Sequence, residues 1–181
     1  MKNSATLLLS ALFVLTACGA KEAPMEAQMS SRKLTEQGYE LLAQQQPRAA
    51  LAMFEQAVGG NEKNIRAWQG KGLALNHMGK HEEAETAYKR ALEIQPGAVA
   101  VTNNLAMSKI LHGQYQEAIN LLTPLSKNKV PISTVVENLA LANCLLGKSD
   151  EARKLYGKNL LPAEIEENLR FCRQFEGMRK K

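Results

Sequence analysis

Apolar side chains recur through most of this chain at spacings of three and four residues, interrupted at regular intervals by glycine or proline. The stretch Ile65 to Ala98 shows the pattern best. Trp68, Leu75 and Met78, with Gly72 among them, mark one face of a helix. Gly79 is placed to end that helix, because glycine takes the left-handed conformation of a helix C-terminus at little cost. A second amphipathic run from Glu82 to Ile94 carries Ala84, Tyr88, Ala91 and Leu92 on one face, and Pro96 closes it. Two antiparallel helices of this kind form a hairpin that cannot bury its apolar face alone and must stack on others.

The unit recurs every 34 residues. Ala50, Ala84, Ala118 and Ala152 share one register. So do Gly38, Gly72, Ala106 and Ala140, the glycines Gly79, Gly113 and Gly147, and the larger residues Phe54, Tyr88, Leu122 and Tyr156. Small side chains let helix backbones approach, and a bulky one fills the space beside them. The series W-x3-G, A-x3-Y-x2-A and a closing Pro in Trp68–Pro96 resembles the tetratricopeptide repeat. That resemblance implies an all-α, right-handed solenoid of about four hairpins, at 31–64, 65–98, 99–132 and 133–164, whose first helices line a concave groove. A capping helix and basic tail occupy 165–181, the helix presenting Ile165, Leu169, Phe171 or Cys172, and Phe175. In the first repeat Gln44-Gln45-Gln46-Pro47 replaces the glycine turn, and in the third Pro124 is expected to kink or shorten the second helix.

Composition changes this picture little. The 181 residues are 45% hydrophobic, 23% charged and 5% aromatic, as suits one helical domain. The net charge of +5 invites a nucleic-acid reading, but the basic residues are scattered, with no stripe interleaved with aromatics, so no nucleic-acid partner is expected. The one basic cluster is Arg179, Lys180 and Lys181, with Arg170 and Arg173 before it.

The beginning of the chain reads as targeting rather than fold. Lys2 precedes an apolar core, Leu7 to Leu15, too short for a confident membrane span. Leu15-Thr16-Ala17-Cys18-Gly19 then resembles a bacterial lipobox. The resemblance implies cleavage of residues 1–17, covalent lipidation of Cys18 and, with no aspartate following it, the periplasmic face of the outer membrane. Residues 18–30, with Pro24 and no strong period, read as a lipidated cysteine and flexible tether, spanning roughly 20 Å as a coil.

No catalytic constellation stands in the sequence: there is no G-x-S-x-G, phosphate-binding loop or HExxH, so neither an enzyme nor a bound cofactor is expected. His77 and His81 straddle the Gly79 turn without a matching Cys or carboxylate, which favours a surface role over a metal site. His112 reads as an isolated helix C-terminal residue, and Glu82, Glu83 and Glu85 as complements to a helix dipole. Cys144 and Cys172 lie on elements that should be neighbours. They either pair in a disulfide or remain buried thiols, with a slight preference for the thiols.

The groove is the candidate working surface. Tyr39, Leu73, Met107, Ile110 and Leu141 are expected to offer apolar pockets there. Asn104, Asn138 and Asn168, from the triplets NNL, ENL and ENL, either face the groove or bond an adjacent helix. An amide that both donates and accepts suits the backbone of an extended peptide. The lysine and asparagine pattern of chaperone-binding repeats is absent, Gln69 and Leu73 standing in its place.

A narrower resemblance rests on Asn104–Ser108, Leu111–Ile119, Val136–Ala142, Leu160–Glu164 and Asn168-Leu169. In this order they resemble the TadD family, tetratricopeptide lipoproteins of tight-adherence (Flp pilus) systems. That likeness implies a pilotin-like role with secretin or pilus-assembly subunits as partners. The alternative with the same fold and anchor is an envelope scaffold that recruits peptidoglycan enzymes or other outer-membrane assembly machinery.

Overall fold

The computed structural model describes residues 24–127, 132–157 and 159–179. The signal segment, Cys18, the start of the tether and the last two lysines lie outside these residues. Nine α-helices and no strand are found among the described residues: α1 (Met25–Ala43), α2 (Pro47–Gly60), α3 (Ile65–His77), α4 (His81–Ile94), α5 (Val99–Leu111), α6 (Tyr115–Ser126), α7 (Ser133–Leu145), α8 (Ser149–Tyr156) and α9 (Pro162–Arg179). They pair as four antiparallel hairpins followed by α9. Gly79, Gly113 and Gly147 turn three of the hairpins at φ of +73°, +78° and +89°. The equivalent position of the first hairpin is Gln45, which adopts the same left-handed turn at φ +58° without glycine's freedom.

The repeat columns are the core. Ala50, Ala84, Ala118 and Ala152 are fully buried, as are Ala106, Ala140, Phe54, Tyr88 and Leu122. The small column acts by close approach. A methyl group built on Gly72 would stand 2.5 Å from the Tyr88 ring, and one on Gly38 2.6 Å from the Phe54 ring. Gly70 of α3 presses on the same Phe54 ring. One aromatic ring thus locks α1, α2 and α3 together. Along the stack α1, α3, α5, α7 and α9 each touch the next, whereas α2, α4, α6 and α8 do not touch one another. The stack therefore closes up on the side of the first helices and opens on the other, which makes their layer the inner, concave wall.

Several expectations are corrected or refined. The tether assigned to 18–30 gives way to helix at Met25: Pro24 opens α1, and Glu26, Ala27, Gln28 and Met29 are good helix formers. Ser31 then hydrogen-bonds the Ala57 carbonyl at 2.7 Å, tying the early part of α1 to α2. Pro124 lies in the last turn of α6, which ends at Ser126 and at 12 residues is shorter than the 14-residue α2 and α4, in line with the expected shortening. Leu111 is 52% exposed because it falls at the end of α5, beside the turn. In α9 the residue facing inward is Cys172, while Phe171 is 56% exposed.

Cys144 of α7 and Cys172 of α9 are joined in a disulfide, their Cα atoms 5.8 Å apart. The preference for free thiols fails because α9 packs directly on α7. The bond closes a loop over a sequence separation of 28 residues. Reduction is expected to cost about 3–4 kcal/mol of stability, from the loop entropy returned to the unfolded chain. Chemical denaturation with and without a reductant, alongside thiol titration of the unfolded protein, checks this; two titratable thiols before reduction would refute the bond.

Candidate functional site

One column of the concave wall is defined by the 34-residue period: Tyr39 on α1, Leu73 on α3, Met107 on α5 and Leu141 on α7. All four side chains are half-buried. Tyr39 is the most constrained. Its ring meets Phe54 edge-on at 5.1 Å, its hydroxyl donates to the Arg66 carbonyl at 3.0 Å, and the Arg66 guanidinium lies 5.4 Å from its centroid. Burial pushes the phenol above its ordinary pKa, against the opposing charge of Arg66. Met107 and Leu141 rest on the core formed by the third and fourth hairpins and α9. Neighbouring helix axes lie about 8–10 Å apart. An extended chain rises about 3.3 Å per residue, so roughly every third residue of a peptide laid across the wall meets the next member of the column.

Not every residue expected in the groove is there. Ile110 is only 5% exposed and belongs to the core, since it sits three positions beyond Met107 and turns towards α6 and α7. Asn138 donates to the Asn103 side-chain oxygen at 3.0 Å, bridging α5 and α7, so part of its capacity is spent on a neighbouring helix. Asn104 and Asn168 are half-buried and make no side-chain hydrogen bond among the described residues. Asn103 and Asn104 line a cleft of about 320 Å³ with Val99, Thr134 and Val135, between the starts of α5 and α7.

A larger cleft, about 480 Å³, opens at the matching end of α1 and α3. Gln28, Arg32 and Glu36 form one wall, and Lys63, Asn64 and Arg66 the other. Asn64 organises its floor. Its amide nitrogen donates to the Ser31 and Thr35 hydroxyls at 2.8 and 3.0 Å, and its oxygen caps α3 by accepting from the Ala67 amide at 3.1 Å. This cleft was missed in the sequence. The available signal was the 34-residue separation of Arg32 and Arg66, which places both at one register of adjacent first helices.

A third feature, at the turn end, is a buried charge cluster. Lys109 of α5 contacts Glu85 of α4 at 2.9 Å and Glu117 of α6 at 2.6 Å, and donates to the Gln114 side chain at 2.8 Å. The Lys109 and Glu85 side chains are only 9% and 8% exposed. Burial alone would raise the Glu85 pKa, but Lys109 foremost, then His112 and Lys89, hold it below its ordinary value. Burial would likewise lower Lys109, and Glu117 and Glu85 outweigh it. His112 is not isolated: it lies 3.5 Å from Glu85 and 3.6 Å from Glu82. Nor is Glu85 a simple dipole complement, since it faces a lysine that takes the register position of Leu75. Among the described residues no group of three or more metal-ligating side chains is gathered, and no helix is long and apolar enough to cross a membrane. His77 is exposed, and His81 pairs with Asn76 at 3.1 Å.

Stacked helical hairpins around a groove, with their buried charges engaged between helices, define a repeat scaffold built for interaction. Tetratricopeptide-repeat models match residues 35–99 and 75–131, together more than half of the chain, which belongs to the tetratricopeptide-repeat family. Such folds generally act as non-enzymatic scaffolds that bind protein or peptide partners. The peroxisomal targeting signal receptor of Candida glabrata is 38% identical over 78 residues, and that of Saccharomyces cerevisiae 37% over the same length. Each match covers 42% of this chain but only 13% of the receptor. The uncharacterized protein y4yS of Sinorhizobium fredii is 30% identical over 77 residues, 42% of either chain. Among solved structures, Pseudomonas aeruginosa pilF superposes with a TM-score of 0.71 at 19% identity, covering 86% of this chain and 74% of that one. MamA gives a TM-score of 0.63 at 20% identity, over 78% and 82%. These structural likenesses concern the fold.

Proposed function

We propose that this chain is a lipid-anchored adaptor in Flp (tight-adherence) pilus biogenesis. Cys18 would carry the lipid and hold the protein at the periplasmic face of the outer membrane, where the groove engages a segment of the secretin or of another pilus-assembly subunit in a pilotin-like role. The observation that carries the binding half of this reading is the column Tyr39, Leu73, Met107 and Leu141, an apolar track on the concave wall. Solved relatives of the same fold support such use: the second repeat domain of human RPAP3 is described in complex with the HSP70 peptide SGPTIEEVD, and YrrB as having an unusual peptide-binding site. The pilus half rests on the lipobox, on the order of motifs from Asn104 to Leu169, and on the likeness to pilF over most of the chain.

The test is photo-crosslinking in cells from a photoreactive residue at Leu73 or Met107, with adducts identified by mass spectrometry. A secretin or pilus-assembly subunit is the expected adduct. A cell-wall enzyme would instead favour the peptidoglycan scaffold. No adduct from a folded, lipidated protein would remove the groove as the working surface.

A further inference from the structure

We infer that the cleft between α1 and α3 selects an acidic, extended segment of the partner protein. Side-chain carboxylates would enter between Arg32 and Arg66, and the apolar residues that follow would run along the groove. The inference rests on the groove reading above and specifies its chemistry. Arg32 and Arg66 occupy the same register of adjacent first helices and are both exposed. Neither forms an ion pair among the described residues, and Glu36 is the one carboxylate lining the cleft. A guanidinium offers a planar fork of N–H donors that matches a carboxylate. Arg66 is also held in place: its guanidinium lies over the Tyr39 ring, whose hydroxyl bonds the Arg66 backbone. The Arg66 guanidinium makes no hydrogen bond or ion pair among the described residues, so its N–H donors remain available beside the ring.

The floor is equally fixed. Asn64, Ser31, Thr35 and the end of α2 form a closed hydrogen-bonded set, so the walls are set before any ligand arrives. Preorganisation of this kind spares the ordering cost of binding. Tyr39 joins the cleft to the apolar column, so one extended chain can use both. A volume of about 480 Å³ exceeds what a single carboxylate side chain needs, which suits two adjacent acidic residues. The shape argues for a peptide over an anionic membrane surface, because a concave cleft linked through Arg66 and Tyr39 to an apolar column matches a chain better than a plane of headgroups.

Peptide binding to the full chain in an uncharged detergent tests this. Three fluorescent ten-residue peptides, blocked at both ends, share an alternating leucine–serine body and differ in a terminal pair of aspartates, asparagines or lysines. The aspartate peptide is expected to bind about tenfold tighter than the asparagine one at low ionic strength, with the lysine peptide weakest. Arg32→Glu with Arg66→Glu, both at exposed positions, should invert that order while helicity and melting temperature hold. If the three peptides bind equally and Leu73→Asp abolishes them all, the cleft assignment falls and the groove stands. If none binds, both fall. A flat ranking, with retention on phosphatidylglycerol vesicles lowered by the double charge reversal, would assign the cleft to lipid and overturn the proposal.

Discussion

Phe54→Ala is expected to destabilise the protein by about 3–5 kcal/mol, the range for truncating a fully buried aromatic residue. The magnitude follows from its position. Phe54 has no solvent exposure, touches Gly38 of α1 and Gly70 of α3, and meets the Tyr39 ring at 5.1 Å. Its loss opens a cavity at the junction of three helices, which rigid helices cannot collapse to fill. The same geometry predicts coupling. Gly70→Ala alone should destabilise, since the new methyl group would collide with the ring. In the Phe54→Ala background it should be neutral or stabilising, because the methyl enters the cavity and alanine favours helix over glycine by about 1 kcal/mol. Urea denaturation of the four members of the double-mutant cycle measures this. Additive losses would mean that the ring does not press on Gly70. The Tyr39 column would loosen in the same variant, so groove crosslinking should fall with it.

Lys109→Met carries the second large effect, an expected loss of about 3–5 kcal/mol, because it leaves Glu85 buried without its principal cation. Lys89, 3.7 Å from Glu85, offsets part of this from an exposed position, which places the expected value at the lower end. Glu85→Gln with Lys109→Met should recover much of the loss, since the stranded charge is gone. The pH dependence has a definite sign. A carboxyl whose folded-state pKa lies below its unfolded value adds stability above the unfolded value, and loses it as pH falls through the folded one. Glu85 is held below 4.5, so its contribution should be intact at neutral pH and fade as pH drops below about that value. Lys109 is held above 10.5, so its share is complete below that pH and fades in strong alkali. Stability measured from pH 7 to pH 3 should fall less steeply in Glu85→Gln than in the wild type. Equal slopes would show that Glu85 is not ionised and paired in the fold.

Much of the fold was legible because a repeat states the same packing rule several times. One alanine means little in an alanine-rich chain, but Ala50, Ala84, Ala118 and Ala152 at one period, with Phe54, Tyr88, Leu122 and Tyr156 at another register, specify two helices of fixed length and mutual contact. The turn glycines did the same for hairpin ends, and even Gln45 follows the register without the residue type. The groove column of Tyr39, Leu73, Met107 and Leu141 shares that period, which is why its members could be named from the sequence. Ile110 could not be excluded in the same way. Three residues past a groove position on a helix lies a neighbouring face, and only the approach of α6 and α7 buries it.

The sequence by itself determined the helices, their pairing and the inner or outer place of most side chains, because these depend on periods of 3.6 and 34 residues carried by local residue types. Tertiary structure decided whatever depends on contact between unrelated registers. Helix from Met25 supplies Gln28 to a cleft that a flexible tether would have left open. Cys144 meets Cys172 because α9 packs on α7. Glu85 becomes a buried partner rather than a dipole complement because Lys109, from the next hairpin, reaches it. Asn138 turns to Asn103 on an adjacent helix, and Arg32 and Arg66 share one cleft whose single carboxylate, Glu36, pairs with neither. A charged or polar side chain is recruited by whichever group lies within a few ångströms, and that distance is set by how helices stack rather than by the period along any one of them.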